Sequence, residues 1–309
     1  SPVFVRHFED YARAVVGRIP SHTKLALTGT PMENHLGELW SLVDLLLPGL
    51  LGTERHFGKN VRPRIERLGD EDLRDRLRQV VSPFLLRRTK NEVASELPEK
   101  TEIVVGVDLE GRQRDLYETV RAAQDKRLRQ VVAGSGLEGA TIQVLEALLR
   151  LRQTCCDPRL LPEEMSKGCE VSAKLDWVAT HLPEMVEEGR RVLVFSQFTG
   201  LLDLVEPILA QAGIAHVRLD GSTSDRGAVV KAFQAGEAPV FLLSLKAGGT
   251  GLNLVAADTV VFLDPWWNPA VEAQAIDRAH RIGQTRPVFV YKLVARGTVE
   301  EKILALQGR

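Results

Sequence analysis

The chain has 309 residues, which suits one large domain or two moderate ones with real cores. The net charge is −1, so any basic surface for nucleic acid must be local. No apolar run approaches the roughly 20 residues that span a bilayer, so no membrane role is expected. The three cysteines show no CxxC spacing, which argues against a zinc site or disulfide framework; we expect no metal site and reduced thiols. The start lacks both an initiator methionine and a signal-peptide pattern.

The first part of the chain predicts several short elements. A helical pattern covers residues 1–24, and a short strand from Lys24 runs into a turn at residues 28–31. A Leu-rich helix is predicted over residues 38–47, and further helices over residues 71–81 and around residues 84–88. Between them, residues 52–60 resemble a P-loop superficially. We reject it because the glycine spacing is one residue too long and no apolar strand precedes it.

Residues 85–90, LLRRTK, form a local basic cluster. A solvated helix end and a contact to a phosphate backbone, or a brace between lobes, are about equally compatible with it. Residues 101–109 predict an alternating strand. Helices then follow over residues 114–132 and 141–154, with a break at 134–139. We expect this segment to be a helical insertion.

From about residue 171 the pattern becomes a regular alternation of strands and helices. Strands are predicted at residues 192–195, 215–219, 240–245, 259–263 and 288–294, and helices at 175–186, 201–212, 225–234 and 299–306. This alternation predicts a parallel sheet with helices on both faces. Polar segments follow the strands at residues 196–197, 220–223, 244–253 and 264–268. In such sheets ligands bind beyond the carboxyl ends of the strands, so these segments predict a functional edge.

One further helix is predicted between Asn268 and Gly283. Asn268 is a good N-cap, proline is tolerated at the first helical position, and glycine favours the end of a helix. The apolar stripe of this helix consists of Val271, Ala275, Ala279 and Ile282.

Gln274, Arg278 and Arg281 lie along the edge of that stripe. Two arginines on a half-buried edge need an anionic partner, and guanidinium groups suit phosphate oxygens. The alternative is that both arginines are solvated or pair with Asp277 and Glu272. The neighbouring glycine-rich turn, with Gly248, Gly249 and Gly251, favours a phosphate site.

Seven motifs occur together and in order: LTGTPMEN, LLRRTK, VFSQF, LDGST, LLSLKAGGTGLNL, DPWWNP and QAIDRAHRIGQ. In this order they resemble the Swi/Snf-type ATPases, double-stranded DNA translocases of helicase superfamily 2, and the resemblance is closest to the bacterial branch. It extends from about Lys24 to Gln307. The motors of this family have two RecA-like lobes that hold ATP between them.

The resemblance implies an α/β fold: a RecA-like parallel sheet with helices on both faces, a helical insertion and a remnant of the first lobe. Residues 1–52 would be that remnant, residues 53–170 a mostly helical linker or insertion, and residues 171–309 the second lobe. No segment matches a P-loop, which the family carries upstream of LTGTP. We therefore expect this chain alone to be nearly inactive as an ATPase.

The resemblance also assigns roles to particular residues. Arg278 and Arg281 match arginine fingers that reach the γ-phosphate, with Gln274 helping to position them. Gly251 and Asn253 match positions near the nucleotide. The residues that match contacts to the DNA backbone are Ser196, Gln197, Ser222, Thr223, Ser244, Lys246, Gly248, Gly249 and Thr250. Trp267 matches an aromatic residue at the minor groove, although an ordinary aromatic at the rim of the domain is the alternative.

The expected cofactor is ATP with Mg²⁺, held mainly by the first lobe. The expected partners are double-stranded DNA, the first RecA-like lobe of the same parent chain and DNA-bound proteins, and the expected location is cytoplasmic, at the nucleoid in a bacterium. Two other function classes remain open. One is a stand-alone nucleic-acid-binding α/β module without an ATPase role. The other is a structural domain whose arginines only stabilise the fold.

Overall fold

The computed structural model describes residues 21, 23–27, 32, 35–86, 97–166, 168–248 and 252–307. The chain divides into two compact units, Ser1–Ser95 and Glu96–Arg309. This division differs from the predicted boundaries at residues 52 and 170, because the strand that precedes the helical insertion belongs to the sheet of the second unit. Within the described part of the chain, no helix is both long enough and apolar enough to cross a membrane.

The described residues of the first unit are mainly helical. They form α1 (Leu36–Leu46), α2 (Glu54–His56), a π-helical turn (Phe57–Val61), α3 (Arg62–Glu66), α4 (Glu71–Val81) and a 3₁₀ turn (Ser82–Phe84). Thr53 caps α2, so the segment that resembles a P-loop is helical. The strand predicted from Lys24 is wrong for residues 23–27, which have no regular structure and expose Leu25 and Leu27. A strand needs a paired neighbour to satisfy its backbone, and no described strand lies in this unit.

Helix α4 and the Leu-rich helix α1 agree with the predictions to within two residues. The helix predicted around residues 84–88 is wrong in its described part, because the 3₁₀ turn ends at Phe84 and Leu85 is extended. The predicted turn at residues 28–31 and residues 87–90 of the basic cluster, which include both of its arginines, lie outside the described residues, as do residues 1–20.

The second unit contains a six-stranded sheet in the order β1-β6-β5-β2-β4-β3, in which every pairing is parallel. The strands are β1 (Lys100–Val107), β2 (Val192–Ser196), β3 (His216–Leu219), β4 (Val240–Ser244), β5 (Thr259–Phe262) and β6 (Val288–Ala295). Strands β2, β4 and β5 are buried at every position. Such continuous apolar runs are typical of a parallel sheet covered on both faces.

Helices connect these strands. They are α5 (Gly111–Gly139), α6 (Thr141–Cys156), α7 (Glu163–Ser166), α8 (Ala173–Glu187), α9 (Thr199–Gln211), α10 (Arg226–Ala235), α11 (Leu245–Gly248), α12 (Pro269–Ile276) and α13 (Val299–Gln307). All of them except the short α7 and α11 were predicted from the sequence. A non-helical Gly136, with φ of 72°, interrupts α5 within the predicted break. Helices α5 and α6 form the predicted insertion between β1 and β2.

Alternate residues of the central strands feed two separate cores. Val194, Leu242 and Val261 pack with α8 and α9 on one face. Phe195 and Phe262 stack at 5.4 Å on the other face, with residues of α10 and α12. The alternation of side chains along a strand explains this division, and it confirms that helices cover both faces.

Helix α12 begins as predicted but ends early. The Asn268 side chain accepts a hydrogen bond from the Ala270 amide, and Pro269 is the first helical residue. The helix ends at Ile276, and the residues up to Gly283 form turns. Ile282 is 80% exposed, so its predicted place on a buried stripe is wrong. Arg278 and Arg281 consequently lie in a turn rather than on a helix edge.

Candidate functional site

The polar segments that follow the strands meet at one edge of the sheet. Ser196 and Ser244 are register partners at the ends of β2 and β4. Leu219, the last residue of β3, is paired with Leu243 of β4. Because parallel strands end on the same side, the turns after β2, β3, β4 and β5 are neighbours along this carboxyl edge. The sheet therefore brings together most of the predicted DNA-contacting residues that the structure describes.

Asp264, just after β5, is completely buried at this edge. Its carboxylate accepts hydrogen bonds from the Ser196 hydroxyl at 2.6 Å and from the Gln197 amide N–H at 3.2 Å. Burial raises the pKa of Asp264, while Arg152 and Ser196 oppose that shift. Ser196 is itself completely buried, so the hydroxyl predicted to contact DNA is used inside the protein.

Arg152, from helix α6 of the insertion, completes this cluster. One terminal nitrogen donates to the Asp264 carboxylate at 3.1 Å and to the Pro265 carbonyl at 2.7 Å, and the other donates to the Gln197 side-chain oxygen at 2.9 Å. The guanidinium also lies 5.8 Å from the ring centre of Phe198. This role could not be predicted, because nothing in a helical pattern shows that one arginine points into a sheet edge.

The aromatic turn, which we define as residues 264–267, is also held from its other side. Glu272 of α12 is buried and accepts a hydrogen bond from the Trp266 amide at 2.8 Å. Gln307 of α13 donates to the Trp266 carbonyl and to Glu272. Next to this fixed residue, Trp267 is 55% exposed. An exposed tryptophan on a firmly held turn is suited to contact a partner, as predicted for this position.

Glu272 forms an ion pair with Lys292 of β6 at 3.1 Å. Burial alone would lower the pKa of Lys292, but Glu272 and Glu102 raise it. The alternative in which Glu272 pairs with the two arginines therefore finds no support, since this carboxylate serves Lys292 and the aromatic turn.

The turn after β3 is organised by Asp220. Its carboxylate accepts hydrogen bonds from the amide and the hydroxyl of Ser222, at 2.8 and 2.6 Å. Arg218 donates to the same carboxylate at 2.8 Å, and the Asp220 amide donates to the Thr223 hydroxyl at 3.0 Å. The hydrogen bonds from Ser222, followed by Arg218, lower the pKa of Asp220. Ser222 stays exposed, as a backbone contact requires.

After β4, the Ser244 hydroxyl accepts a hydrogen bond from the Ala247 amide at 3.3 Å. Ser244 is almost fully buried, whereas Lys246 of the short helix α11 is exposed. Gly248 ends that helix. The remaining predicted residues of this motif, Gly249, Thr250 and Gly251, lie outside the described residues.

The arginine turn, which we define as residues 277–284, packs against the segment that follows the glycine motif. The Leu254 amide donates to the Arg278 carbonyl at 2.9 Å, and one Arg281 terminal nitrogen lies 3.4 Å from the Leu252 carbonyl oxygen. Asn253, between these two contacts, is exposed. The structure thus brings Asn253 and both predicted arginine fingers together, although Gln274 lies one segment earlier, in α12.

Gln284 is the main support of this junction. Its side-chain amide donates to the carbonyls of Val255, Ala257 and Ala279 at 3.1, 2.7 and 3.0 Å. Its side-chain oxygen accepts from the amides of the next two residues, at 2.9 and 3.0 Å. A buried amide with this many bonds fixes the spacing between the two segments. Gln284 ends the recognised motif, but the sequence did not indicate this structural role.

The electrostatic environment of Arg278 is unusual. Burial lowers the pKa of this guanidinium, and the charge of Arg281 lowers it further, while Asp277 opposes both. The guanidinium remains charged at neutral pH. A guanidinium whose pKa is lowered by burial and by a neighbouring cation is a feature often found at functional sites.

A second pair of buried charges lies behind the aromatic turn. Lys174 of α8 and Glu300 of α13 are both completely buried and 2.7 Å apart. Lys174 also donates to the Leu263 carbonyl at 2.7 Å. Burial alone would lower the pKa of Lys174, but Glu300 raises it. A lysine in the first turn of a helix is unfavourable for the helix dipole, and this anomaly could have revealed the pair from the sequence.

Comparison with known families gives two matches along the chain. The SNF2-related domain family matches residues 8–160, and the helicase conserved C-terminal domain family matches residues 173–283. Together they cover most of the chain.

Two relatives illustrate the similarity. The chain is 38% identical, over 94% of its length, to the human SWI/SNF-related matrix-associated actin-dependent regulator of chromatin subfamily A member 1. It is 41% identical, over 90% of its length, to the putative ATP-dependent helicase/translocase YwqA of Bacillus subtilis. It covers 28% and 31% of these two relatives, so it spans less than a third of their length.

A solved structure has the same architecture. The Sulfolobus solfataricus SWI2/SNF2 ATPase core in complex with dsDNA matches 96% of this chain with 33% identity and a TM-score of 0.58, and the chain covers 63% of it. The second unit is therefore a RecA-like helicase C-terminal domain. The chain belongs to the Swi/Snf-type family of helicase superfamily 2, as the seven motifs predicted.

Proposed function

We propose that this chain forms the second motor lobe of an ATP-dependent translocase on double-stranded DNA. In this proposal Arg278 and Arg281 contact the γ-phosphate of an ATP molecule held by a first RecA-like lobe. Asn253 and Gly251 would lie at the nucleotide, and Gln274 of α12 would help to position the arginines. The observation that carries the proposal is the packing of the turn that holds both arginines against residues 252–254, where burial, followed by the charge of Arg281, lowers the pKa of Arg278. That arrangement suits a ligand with several anionic oxygens.

The carboxyl edge of the sheet supplies the proposed DNA surface. Lys246 and the glycine N–H groups of its motif would contact phosphates, together with Gln197, Ser222 and Thr223, and Trp267 would reach the minor groove. Ser196 and Ser244 would act by shaping these turns, because both side chains are buried. DNA-bound proteins would be the targets that the whole motor displaces or moves.

ATP would be used with Mg²⁺. The described part of the chain gathers no group of three His, Cys, Asp or Glu side chains that could hold a metal ion, and the proposal assigns the magnesium ligands and the P-loop to the other lobe. The role of the present residues is to stabilise charge on the transferred phosphoryl group. We accordingly expect little ATPase activity from this chain alone.

The test is DNA-stimulated ATPase activity in a longer chain that also carries a P-loop lobe, with Arg281→Ala as the central variant. Its guanidinium makes a long contact, 3.4 Å, with the Leu252 carbonyl, and Gln284 supports the turn independently. We expect turnover to fall by about 10³ or more, the usual contribution of an arginine finger, with the melting temperature nearly unchanged. Arg278→Ala should lower turnover similarly.

Arg286→Ala is the matched control. Arg286 lies close in sequence but contacts Asp258 at 3.0 Å, at the amino edge of the sheet. The Arg286→Ala variant should retain the turnover of the unaltered chain. If Arg281→Ala retains full turnover as well, or if it unfolds the domain, the arginine-finger assignment is wrong and the structural role is favoured.

The DNA surface has its own test, the salt dependence of duplex binding. Lys246→Ala should reduce the slope of log affinity against log salt by about 1, because one phosphate contact is lost. Lys231→Ala, which removes an exposed lysine on α10, should leave the slope unchanged. Equal slopes for Lys246→Ala and the unaltered chain would contradict the proposed contact.

A further inference from the structure

Arg152 connects the helical insertion to two segments of the carboxyl edge that are far apart in sequence. It lies on α6, which is not one of the helices that alternate with the central strands. Its guanidinium nevertheless contacts Gln197, after β2, and Asp264 and Pro265, after β5. Only 10% of this side chain is exposed, so it does not itself present a surface to a ligand.

The shape of the guanidinium matters for these contacts. It is planar and carries donors in a fixed fork, so one group can serve three acceptors at defined angles. In addition, its central carbon lies over two aromatic rings, 5.5 Å from the ring centre of Trp266 and 5.8 Å from that of Phe198. A lysine could balance the charge of Asp264, but it could not reproduce this fork or the stacking.

The contact with Gln197 fixes the orientation of its side-chain amide. Because a guanidinium only donates, the Gln197 oxygen must face Arg152 and its nitrogen must face away. That nitrogen is buried and has no hydrogen-bond acceptor among the described residues. Buried donors without acceptors are rare in native proteins and call for an explanation.

We propose that Arg152 is a positioning residue for duplex DNA: from the insertion, it sets the amide of Gln197 and the aromatic turn with Trp267 in the arrangement that receives the backbone. This inference rests on the proposed DNA surface. It adds that the helical insertion takes part in DNA binding without touching DNA, by holding two loops in register at the edge of the sheet.

Arg152→Lys in the full chain tests this inference, because it keeps a positive charge beside Asp264. If Arg152 only balanced the charge of Asp264, this variant would bind the duplex with the affinity of the unaltered chain. A positioning role predicts about tenfold weaker binding of a labelled duplex of mixed sequence, which corresponds to one good charge-assisted contact. The salt slope should stay unchanged, because Arg152 contacts no phosphate.

A second measurement needs no DNA. Acrylamide quenching of tryptophan fluorescence is measured for each variant and for the same variant carrying Trp267→Phe. The difference between the two signals is the contribution of Trp267. We expect Arg152→Lys to shift this difference signal. The matched control is Arg150→Lys on the same helix, whose guanidinium bonds to Gln153 within α6 and should change neither measurement.

Arg152→Met combined with Asp264→Asn provides a variant that removes both charges, so that no unpaired buried carboxylate threatens folding. It should reproduce both effects of Arg152→Lys. The inference is overturned if these variants have the duplex affinity and the Trp267 quenching of the unaltered chain. It is also overturned if the Trp267 quenching shifts while the duplex affinity is retained. If the unaltered chain does not bind the duplex, the proposed DNA surface itself fails, and the quenching result then shows separately whether Arg152 positions the turn.

Discussion

The aromatic turn and the arginine turn lie in the same domain but are stabilised in opposite ways. The aromatic turn is held by buried charges, with Arg152 on Asp264 on one side and Lys292 on Glu272 on the other. The arginine turn is held by main-chain hydrogen bonds, by the neutral amide of Gln284 and by a contact of 2.9 Å between the His280 ring and the Pro98 carbonyl. The shape of the first turn therefore depends on charge balance inside the protein.

This difference has a functional meaning under the proposed mechanism. A turn that holds its fold through neutral groups can place arginines for chemistry without making folding depend on their charge. A turn that must present a tryptophan in one orientation gains from charged contacts, which are stronger and more directional. Two substitutions test this contrast, and a third tests the charged turn after β3.

The largest effect is expected from Lys174→Met, which leaves Glu300 buried without its ion-pair partner behind the aromatic turn. Breaking a fully buried pair typically costs about 3–5 kcal/mol of unfolding free energy. Unfolding in guanidinium chloride, followed by circular dichroism, measures this loss of stability. Lys174→Met combined with Glu300→Gln should recover most of the loss, because no unpaired charge then remains.

Lys231→Met, at an exposed site on α10, is the control and should change stability by less than about 0.5 kcal/mol. A loss below about 1 kcal/mol for Lys174→Met would mean that charge balance does not govern this side of the domain.

An intermediate effect is expected from Gln284→Leu, which leaves buried carbonyls at Val255, Ala257 and Ala279 without a donor. Unsatisfied buried groups cost about 1–3 kcal/mol each, and partial relaxation should hold the total near 2–4 kcal/mol. Thermal unfolding measures it, with Gln211→Leu at an exposed position of α9 as the control. If both variants are equally stable, the arginine turn is supported by something other than this amide.

The smallest effect is expected from Asp220→Asn, because the amide oxygen can still accept from Ser222 while the pairing with Arg218 is lost. We expect about 1 kcal/mol of destabilisation at neutral pH. The native pKa of Asp220 lies below its unfolded value of 3.8, so its carboxylate stabilises the fold above that value. This contribution is lost as the pH falls through the lower native pKa.

Unfolding between neutral and acid pH should therefore show a shallower acid dependence for Asp220→Asn than for the unaltered chain. Asp125→Asn is the control, since Asp125 pairs with Arg129 at the surface and organises no turn. If the acid dependence does not change, Asp220 does not stabilise the turn in the way described.

The regular part of the fold could be predicted because its signals are local. Buried runs such as Val240–Ser244 are continuous and apolar, and turn residues mark their ends. The end of α12 could not be predicted in this way. Ala279 and Ile282 continue the helical spacing, but the Arg278 carbonyl bonds to Leu254 of another segment, and that tertiary contact belongs to the turn rather than to a helix.

The site was predicted in part for the same reason. The motifs identified the arginines and the exposed residues, such as Lys246 and Trp267. They did not identify Arg152, Glu272 or Gln284, because each of these side chains contacts a partner distant in sequence, such as Lys292 for Glu272. Conversely, Ser196 carries the right chemistry in the right motif, yet its hydroxyl is directed to Asp264.

The pairing of β1 with β6 has a consequence for how the domain is made. Lys100 is paired with Val288, so β1, the first strand of the sheet in sequence, can form its pairing only after β6, the last strand, is present. During synthesis the ribosome must therefore complete the insertion, the four strands β2 to β5 and the arginine turn before β1 can pair with β6. Contacts between such distant residues slow folding, and an unpaired strand edge invites association with other chains. The nascent domain should therefore depend on chaperones until β6 emerges.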